Sequence, residues 1–192
     1  NSSIDMILSG IYNECPDVAA FSCYIWNIGL VLKVAQDLKK VLPKTKVVLG
    51  GPEVSFDAEE LLNRYPFVDY IVEGEGERAF RKLLHDICAL DGSDDRPGKR
   101  CAVYRDESLI PDLDELPSPF SEEMLGALGD RIVYFESSRG CPFSCSYCLS
   151  STFSGVRFFS MDRVRRELSR LIDRGTGQVK FVDRTFNCNK NR

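Results

Sequence analysis

The order of the apolar segments constrains this chain more than any other feature. Short aliphatic runs alternate with amphipathic helical stretches, and the turns between them are brief. Residues 17–24 (DVAAFSCY) are a compact apolar run suited to a fully buried strand. Residues 27–42 follow with Val31, Val34, Ala35, Leu38, Val41 and Leu42 on one helical face, and Pro43 ends the helix. Residues 46–49 (KVVL) predict a second strand that stops at Gly50-Gly51-Pro52. Asp57, with Glu60 three residues on, predicts a capping box for the next helix. Residues 68–72 predict a third strand, 77–90 a third helix, and 4–13 a helix ahead of the first strand. Strands separated by helices imply βαβ units, so the fold class is α/β: a doubly wound parallel sheet, placed at residues 1–90.

Residues 91–130 read as a connecting region. Residues 91–99 (DGSDDRPGK) are charged and hold Gly and Pro, the composition of a linker. Residues 100–104 and 108–111 predict a small hairpin across Arg105-Asp106-Glu107. Residues 113–120 (LDELPSPF) carry two prolines and predict an irregular connector running over a surface. Regular structure resumes over residues 131–192. Residues 131–135 (RIVYF) predict a strand, and Ser160 caps a helix through Asp173 with Val164, Leu168, Leu171 and Ile172 inward. Gly175 stops that helix and residues 178–182 (QVKFV) predict another strand. Arg163, Arg165 and Arg166, alternating with Glu167, are expected on a solvated face. The chain opens without Met and stops just after a strand pattern, so both ends read as cuts in a longer polypeptide.

A net charge of −4 gives no electrostatic reason to expect nucleic acid or an anionic membrane as partner. No apolar run approaches the roughly 20 residues of a membrane span. The first ten residues, NSSIDMILSG, do not read as a signal peptide. Clustered thiols are therefore expected in a reducing cytoplasm, where they mean metal or redox chemistry more often than disulfides.

The cluster is Cys141, Cys145 and Cys148, spaced C-x3-C-x2-C within ESSRGCPFSCSYCLSS. Three thiolates in one loop suit a single metal centre. Structural zinc wants four protein ligands, and the remaining candidates, Cys101, Cys188 and His85, stand in no paired motif. An ordinary ferredoxin-type cluster also uses four cysteines. Iron–sulfur, zinc and a structural role stay open on the residues alone. A cubane held by three thiolates keeps one iron for a ligand that is not protein.

That spacing after a first strand resembles the signature of radical S-adenosylmethionine enzymes. The resemblance implies a [4Fe-4S] cluster on Cys141, Cys145 and Cys148, with the amine and carboxylate of S-adenosylmethionine on the open iron. Reductive cleavage to a 5′-deoxyadenosyl radical is the chemistry it implies. Tyr147 then stands beside the adenine, Gly140 allows close backbone approach, and Pro142 stiffens the loop. It also implies that residues 131–192 are the first units of a partial TIM barrel.

Upstream, the chain resembles the cobalamin-binding domain of one large subgroup. The landmarks are Ser22 after the first clear strand, Gly50-Gly51-Pro52 after the second, GEGE at 74–77 after the third, and LPSPF at 116–120. The glycine pair lets backbone approach a flat ligand at strand ends, or makes a tight strand-to-helix turn. The D-x-H-x-x-G motif of many corrinoid domains does not occur; the single histidine, His85, lies in LLHDIC. Residues 74–79 also match a loose G-x-G-x-x-A, but two glutamates there suit a helix N-terminus and repel a pyrophosphate.

Arg157 resembles the family's arginine before the first barrel helix, expected at a cofactor or substrate carboxylate or in a structural ion pair. Residues 181–186 (FVDRTF) resemble F-x-D-[DE]-x-F, with Asp183 matching and Arg184 replacing the second acid. Cys188 is an accessory ligand or a strand-end thiol. The resemblance implies methyl transfer to an unknown, small-molecule substrate, with an electron donor of the flavodoxin or ferredoxin type. Rearrangement or sulfur insertion without cobalamin is the alternative. An inactive piece that self-associates through an exposed sheet edge, or a zinc-stabilised binding module, is another.

Overall fold

The computed structural model describes residues 2–89, 102–106, 108–129, 131–151 and 155–191. It divides into two compact units, residues 1–109 and 110–192.

The first unit follows the alternation: α1 (Ser2–Glu14), β1 (Val18–Ser22), α2 (Ile28–Val41), β2 (Lys46–Gly50), α3 (Ala58–Arg64), β3 (Tyr70–Glu73), α4 (Gly76–Ala89) and β4 (Ala102–Arg105). The four strands lie side by side in chain order and all pair in parallel. Successive side chains on a strand point to opposite faces, and both faces are covered. Ala19, Val47, Leu49 and Ile71 pack with Val31, Ala35 and Leu38 of α2 and with Ala58 and Leu62 of α3. Val48 and Val72, on the other face, pack with Ala79 and Leu83 of α4. An α/β fold with helices on both faces of a parallel sheet is what the apolar pattern demands.

Two local expectations differ. Residues 102–105, expected as a hairpin arm, instead extend the sheet parallel to β3, with Val72 opposite Tyr104. Residues 108–111 form no strand. Tyr104 has better use for its ring against Tyr70, edge-on at 5.9 Å, than a two-stranded ribbon offers. Asp57 does occupy the N-cap of α3, but its side chain makes no capping hydrogen bond, so the expected capping box is absent. The expected linker at 91–99 lies outside the described residues.

The second unit holds α5 (Glu122–Ala127), β5 (Ile132–Phe135), β6 (Ser138–Cys141), β7 (Gly155–Phe158), α6 (Met161–Asp173) and β8 (Gln178–Phe181). β5 and β8 pair in parallel around α6, a β–α–β unit, and β6 pairs antiparallel with β7. Ser160 caps α6 as expected, accepting from the Arg163 N–H at 3.2 Å.

The connector does not run over a surface. Ile110, Leu113 and Phe120 are buried with Val133, Phe135, Val164 and Leu171 in one core. Prolines 117 and 119 supply no N–H, so the connector offers carbonyls that need donors. Arg163 donates from one nitrogen to Asp114 O at 3.0 Å and Leu116 O at 2.6 Å, and Arg170 donates to Phe120 O at 3.0 Å. The Ser118 hydroxyl donates to Glu167 at 2.9 Å. Arg163 and Glu167, expected on a solvated face, are thus buried beneath the connector. Ile172, expected inward, is 69% exposed. The polar stripe at 163, 167 and 170 takes the inner place because Arg163 and Arg170 bind the connector's carbonyls and Glu167 its Ser118 hydroxyl.

Candidate functional site

Two sites stand at strand ends, one in each unit.

In the first unit, the loops after β1, β2 and β3 are tied into one edge. Ser22 closes β1 opposite Gly50. The Cys23 N–H donates to Gly50 O at 2.7 Å, and the Glu53 N–H donates to Cys23 O at 3.3 Å. Gly51 has φ 102°, and a Cβ there would meet Cys23 O at 2.7 Å, so only glycine permits this approach. Gly50 has no such constraint; its Cβ would meet Val72 O at an ordinary 3.6 Å. Ser55 ties the next pair of loops, its hydroxyl donating to Gly51 O at 2.8 Å and accepting from the Gly74 N–H at 3.1 Å. Nothing in the sequence pattern flagged Ser55, since its partner loop lies 19 residues away.

The loop from Ser22 to α2 is closed by Asn27, which accepts from the Tyr24 N–H at 2.7 Å and donates to Ser22 O at 2.9 Å. It presents Trp26, 77% exposed, stacked on Tyr24 at 4.6 Å and 6°. An exposed, flat indole in the loop that follows β1 is a surface suited to a flat macrocyclic ligand such as cobalamin. His85, the single histidine, is exposed on α4 beside Asp86 and stands at no strand end. Cys23 is fully buried, and burial pushes its thiol up to about 11, which makes it inert at neutral pH.

In the second unit, the cysteine loop emerges between β6 and β7. Sequence pattern missed this hairpin, because SRGC and GVRF show no alternation. Gly140, at φ 97° and opposite Val156, has the Gly155 carbonyl where a Cβ would stand, so its glycine identity serves the hairpin. Cys141 ends β6 half-buried, with Sγ 3.3 Å from Thr185 Oγ1. Cys145 is exposed, and its carbonyl accepts from the half-buried Cys148 N–H at 3.0 Å. Tyr147 is 92% exposed.

The three thiols share one loop but do not close on a common centre: among the described residues no three His, Cys, Asp or Glu side chains are grouped to hold a metal ion. The donor set fits the expected cluster in its chemistry, being three unbridged soft ligands within eight residues. Cys188 is half-buried and free. Arg157 donates to Ile110 O at 2.6 Å, which gives this arm of its guanidinium a structural task. Among the described residues no helix is long and apolar enough to cross a membrane.

Residues 1–84 match the family described as the B12 binding domain. Over 191 residues the chain is 35% identical to the cobalamin-dependent radical SAM methyltransferase TokK of Streptomyces tokunonensis, covering 89% of this chain and 28% of that protein. It is 33% identical to 2-(S-pantetheinyl)-carbapenam-3-carboxylate methyltransferase of Streptantibioticus cattleyicolor, with the same coverage. It is 33% identical to the hopanoid C-3 methylase of Methylococcus capsulatus, covering 83% of this chain and 33% of that enzyme. The chain thus spans about a third or less of these relatives.

Proposed function

We propose that this chain belongs to the radical S-adenosylmethionine proteins that carry a B12-binding domain, and that it is the cofactor-binding part of an enzyme that methylates a poorly activated carbon. The observation that carries this reading is a loop with three unbridged thiols after β5, in one chain with a glycine-pinched sheet edge. Parallel α/β folds bind their ligands and build their active sites at that end of the strands.

When bound, a [4Fe-4S] cluster with S-adenosylmethionine supplies reductive radical initiation, and cobalamin supplies a transferable methyl group. The chain's residues have defined tasks around these groups. The Cys141, Cys145 and Cys148 thiolates would hold the cluster. Tyr147, exposed next to Cys148, covers the adenine. Gly140 keeps the β6–β7 hairpin closed so that Cys141 is held at its rim. Ser22, Gly50 and Gly51 form the backbone edge for the corrin, with Trp26 and Tyr24 as its aromatic wall. Arg157 holds the connector through one nitrogen of its guanidinium. The substrate is a small molecule, and reducing equivalents come from a flavodoxin- or ferredoxin-type donor. Free thiols suit a reducing cytoplasm. The open edges of β5 and β8 would pair with further barrel strands in the whole protein, or with a second copy in an isolated piece.

Anaerobic reconstitution of the full-length protein tests the reading: it gives about four iron and four sulfide per chain with broad absorption at about 400 nm. Stoichiometric zinc without sulfide removes the radical reading in favour of a structural metal. Equilibrium binding of hydroxocobalamin tests the other half, and no binding at millimolar ligand removes methyl transfer.

A further inference from the structure

Two side chains just past β8 reach the cysteine loop. The parallel register, which sets Phe135 opposite Phe181, continues beyond the strands. The Val182 N–H donates to Phe135 O at 2.9 Å, and one residue later Asp183 meets Ser137. Asp183 Oδ1 accepts from the Ser137 N–H at 2.7 Å and the Ser138 N–H at 3.1 Å. Its Oδ2 accepts from the Ser137 hydroxyl. Ser137 and Ser138 are buried, and buried N–H groups require an acceptor. The carboxylate therefore replaces the ladder carbonyls where the chain turns from β5 into β6. At the far end of β6, Thr185 Oγ1 lies 3.3 Å from Cys141 Sγ. Both ends of this four-residue strand are fastened to one segment, residues 183–185.

We infer that residues 183–185 form a positioning element for the iron–sulfur cluster: Asp183 fixes the entrance to the cysteine loop, and the Thr185 hydroxyl donates to the Cys141 sulfur and sets the cluster potential. The inference rests on the cluster-binding reading of the loop. A ligating thiolate carries no proton, so the threonine hydroxyl is the donor of that pair. A hydrogen bond to a cluster sulfur favours the reduced, more negative form and raises the potential. Outer-shell partners of this kind are worth about 10–100-fold in metal affinity.

The test uses the full-length protein, reconstituted anaerobically, with iron loss to a chelator and an EPR-monitored redox titration as readouts. D183A is expected to lose iron about tenfold faster or more. D183N retains an oxygen for both N–H groups and should hold iron close to the wild-type rate. T185V is expected to keep the wild-type iron content while its potential falls, by up to about tenfold in the reduction equilibrium, or about 59 mV for a one-electron couple. T185S restores it. If D183A does not fold, the T185V and T185S pair decides by potential alone. A loaded wild type whose T185V potential is unchanged, or a folded D183A with wild-type iron release, overturns the inference while leaving the cluster reading intact. A wild type that takes up neither iron nor sulfide overturns the cluster reading and this inference with it.

Discussion

The two strand-end sites are held by different forces. The edge of the first unit sits on a sheet whose strands β2 and β3 bury side chains on both faces, so its geometry is set by packing before any ligand arrives. The cysteine loop stands on a two-stranded pair and a hairpin, and its roots are fastened by side-chain hydrogen bonds from Asp183 and Thr185. One site is preformed by its core. The other is fixed at its roots by side-chain hydrogen bonds rather than by a core on both sides.

The largest expected effect lies in the second site. Cys141→Ala, Cys145→Ala or Cys148→Ala, each singly, should reduce reconstituted iron from about four per chain to less than about one, while the circular dichroism of the apoprotein stays unchanged. Full iron in any of the three variants breaks the contrast, because the loop would then not depend on that thiol.

Next comes the packed edge. Gly51→Val sets a side chain against the Cys23 backbone and forces a β-branched residue to φ 102°. It should cost about 2–4 kcal/mol in urea denaturation and abolish hydroxocobalamin binding. Gly50→Ala, with only ordinary contacts, should cost less than about 1 kcal/mol. Equal costs at the two positions would show that the edge is not pinched at Gly51.

The connector sharpens the comparison inside the second unit, where polar side chains substitute for missing core. Arg163→Ala leaves the part-buried carbonyls of residues 114 and 116 without this donor and should destabilise by about 1–3 kcal/mol. Arg163→Lys keeps one donor and loses less. Denaturation followed by Phe and Tyr fluorescence measures both.

The smallest effect is a pH dependence. The folded pKa of Cys23, about 11, lies above its ordinary 9.0, so stability is whole below pH 9 and falls as pH rises towards 11. Urea midpoints at pH 8 and pH 10.5 should differ more in wild type than in Cys23→Ala.

The sheet was legible in sequence because burial on both faces leaves continuous apolar runs and because α2 carries a clean helical stripe. The Ser160 cap was equally readable, since its partner Arg163 is three residues away. What escaped was decided by distant partners. Glu167 is buried because Ser118 binds it across 49 residues, and no local pattern carries that information. Residues 102–105 join the sheet because β3 offers an open edge, whereas a hairpin needs only the adjacent chain. At the site, the cysteine spacing and the glycine pair were visible as residue types. The ties through Ser55, Asn27 and Asp183 were not, because each depends on which strand ends become neighbours.

In the proposed function, three thiolates of one loop hold a cluster that keeps one iron for S-adenosylmethionine. Mössbauer spectroscopy of the reconstituted full-length protein, before and after S-adenosylmethionine is added, tests it most directly. The expected result is a [4Fe-4S] signal in which about one iron in four changes on addition. A signal in which all four irons are unaffected, or stoichiometric zinc with no iron signal, would contradict it.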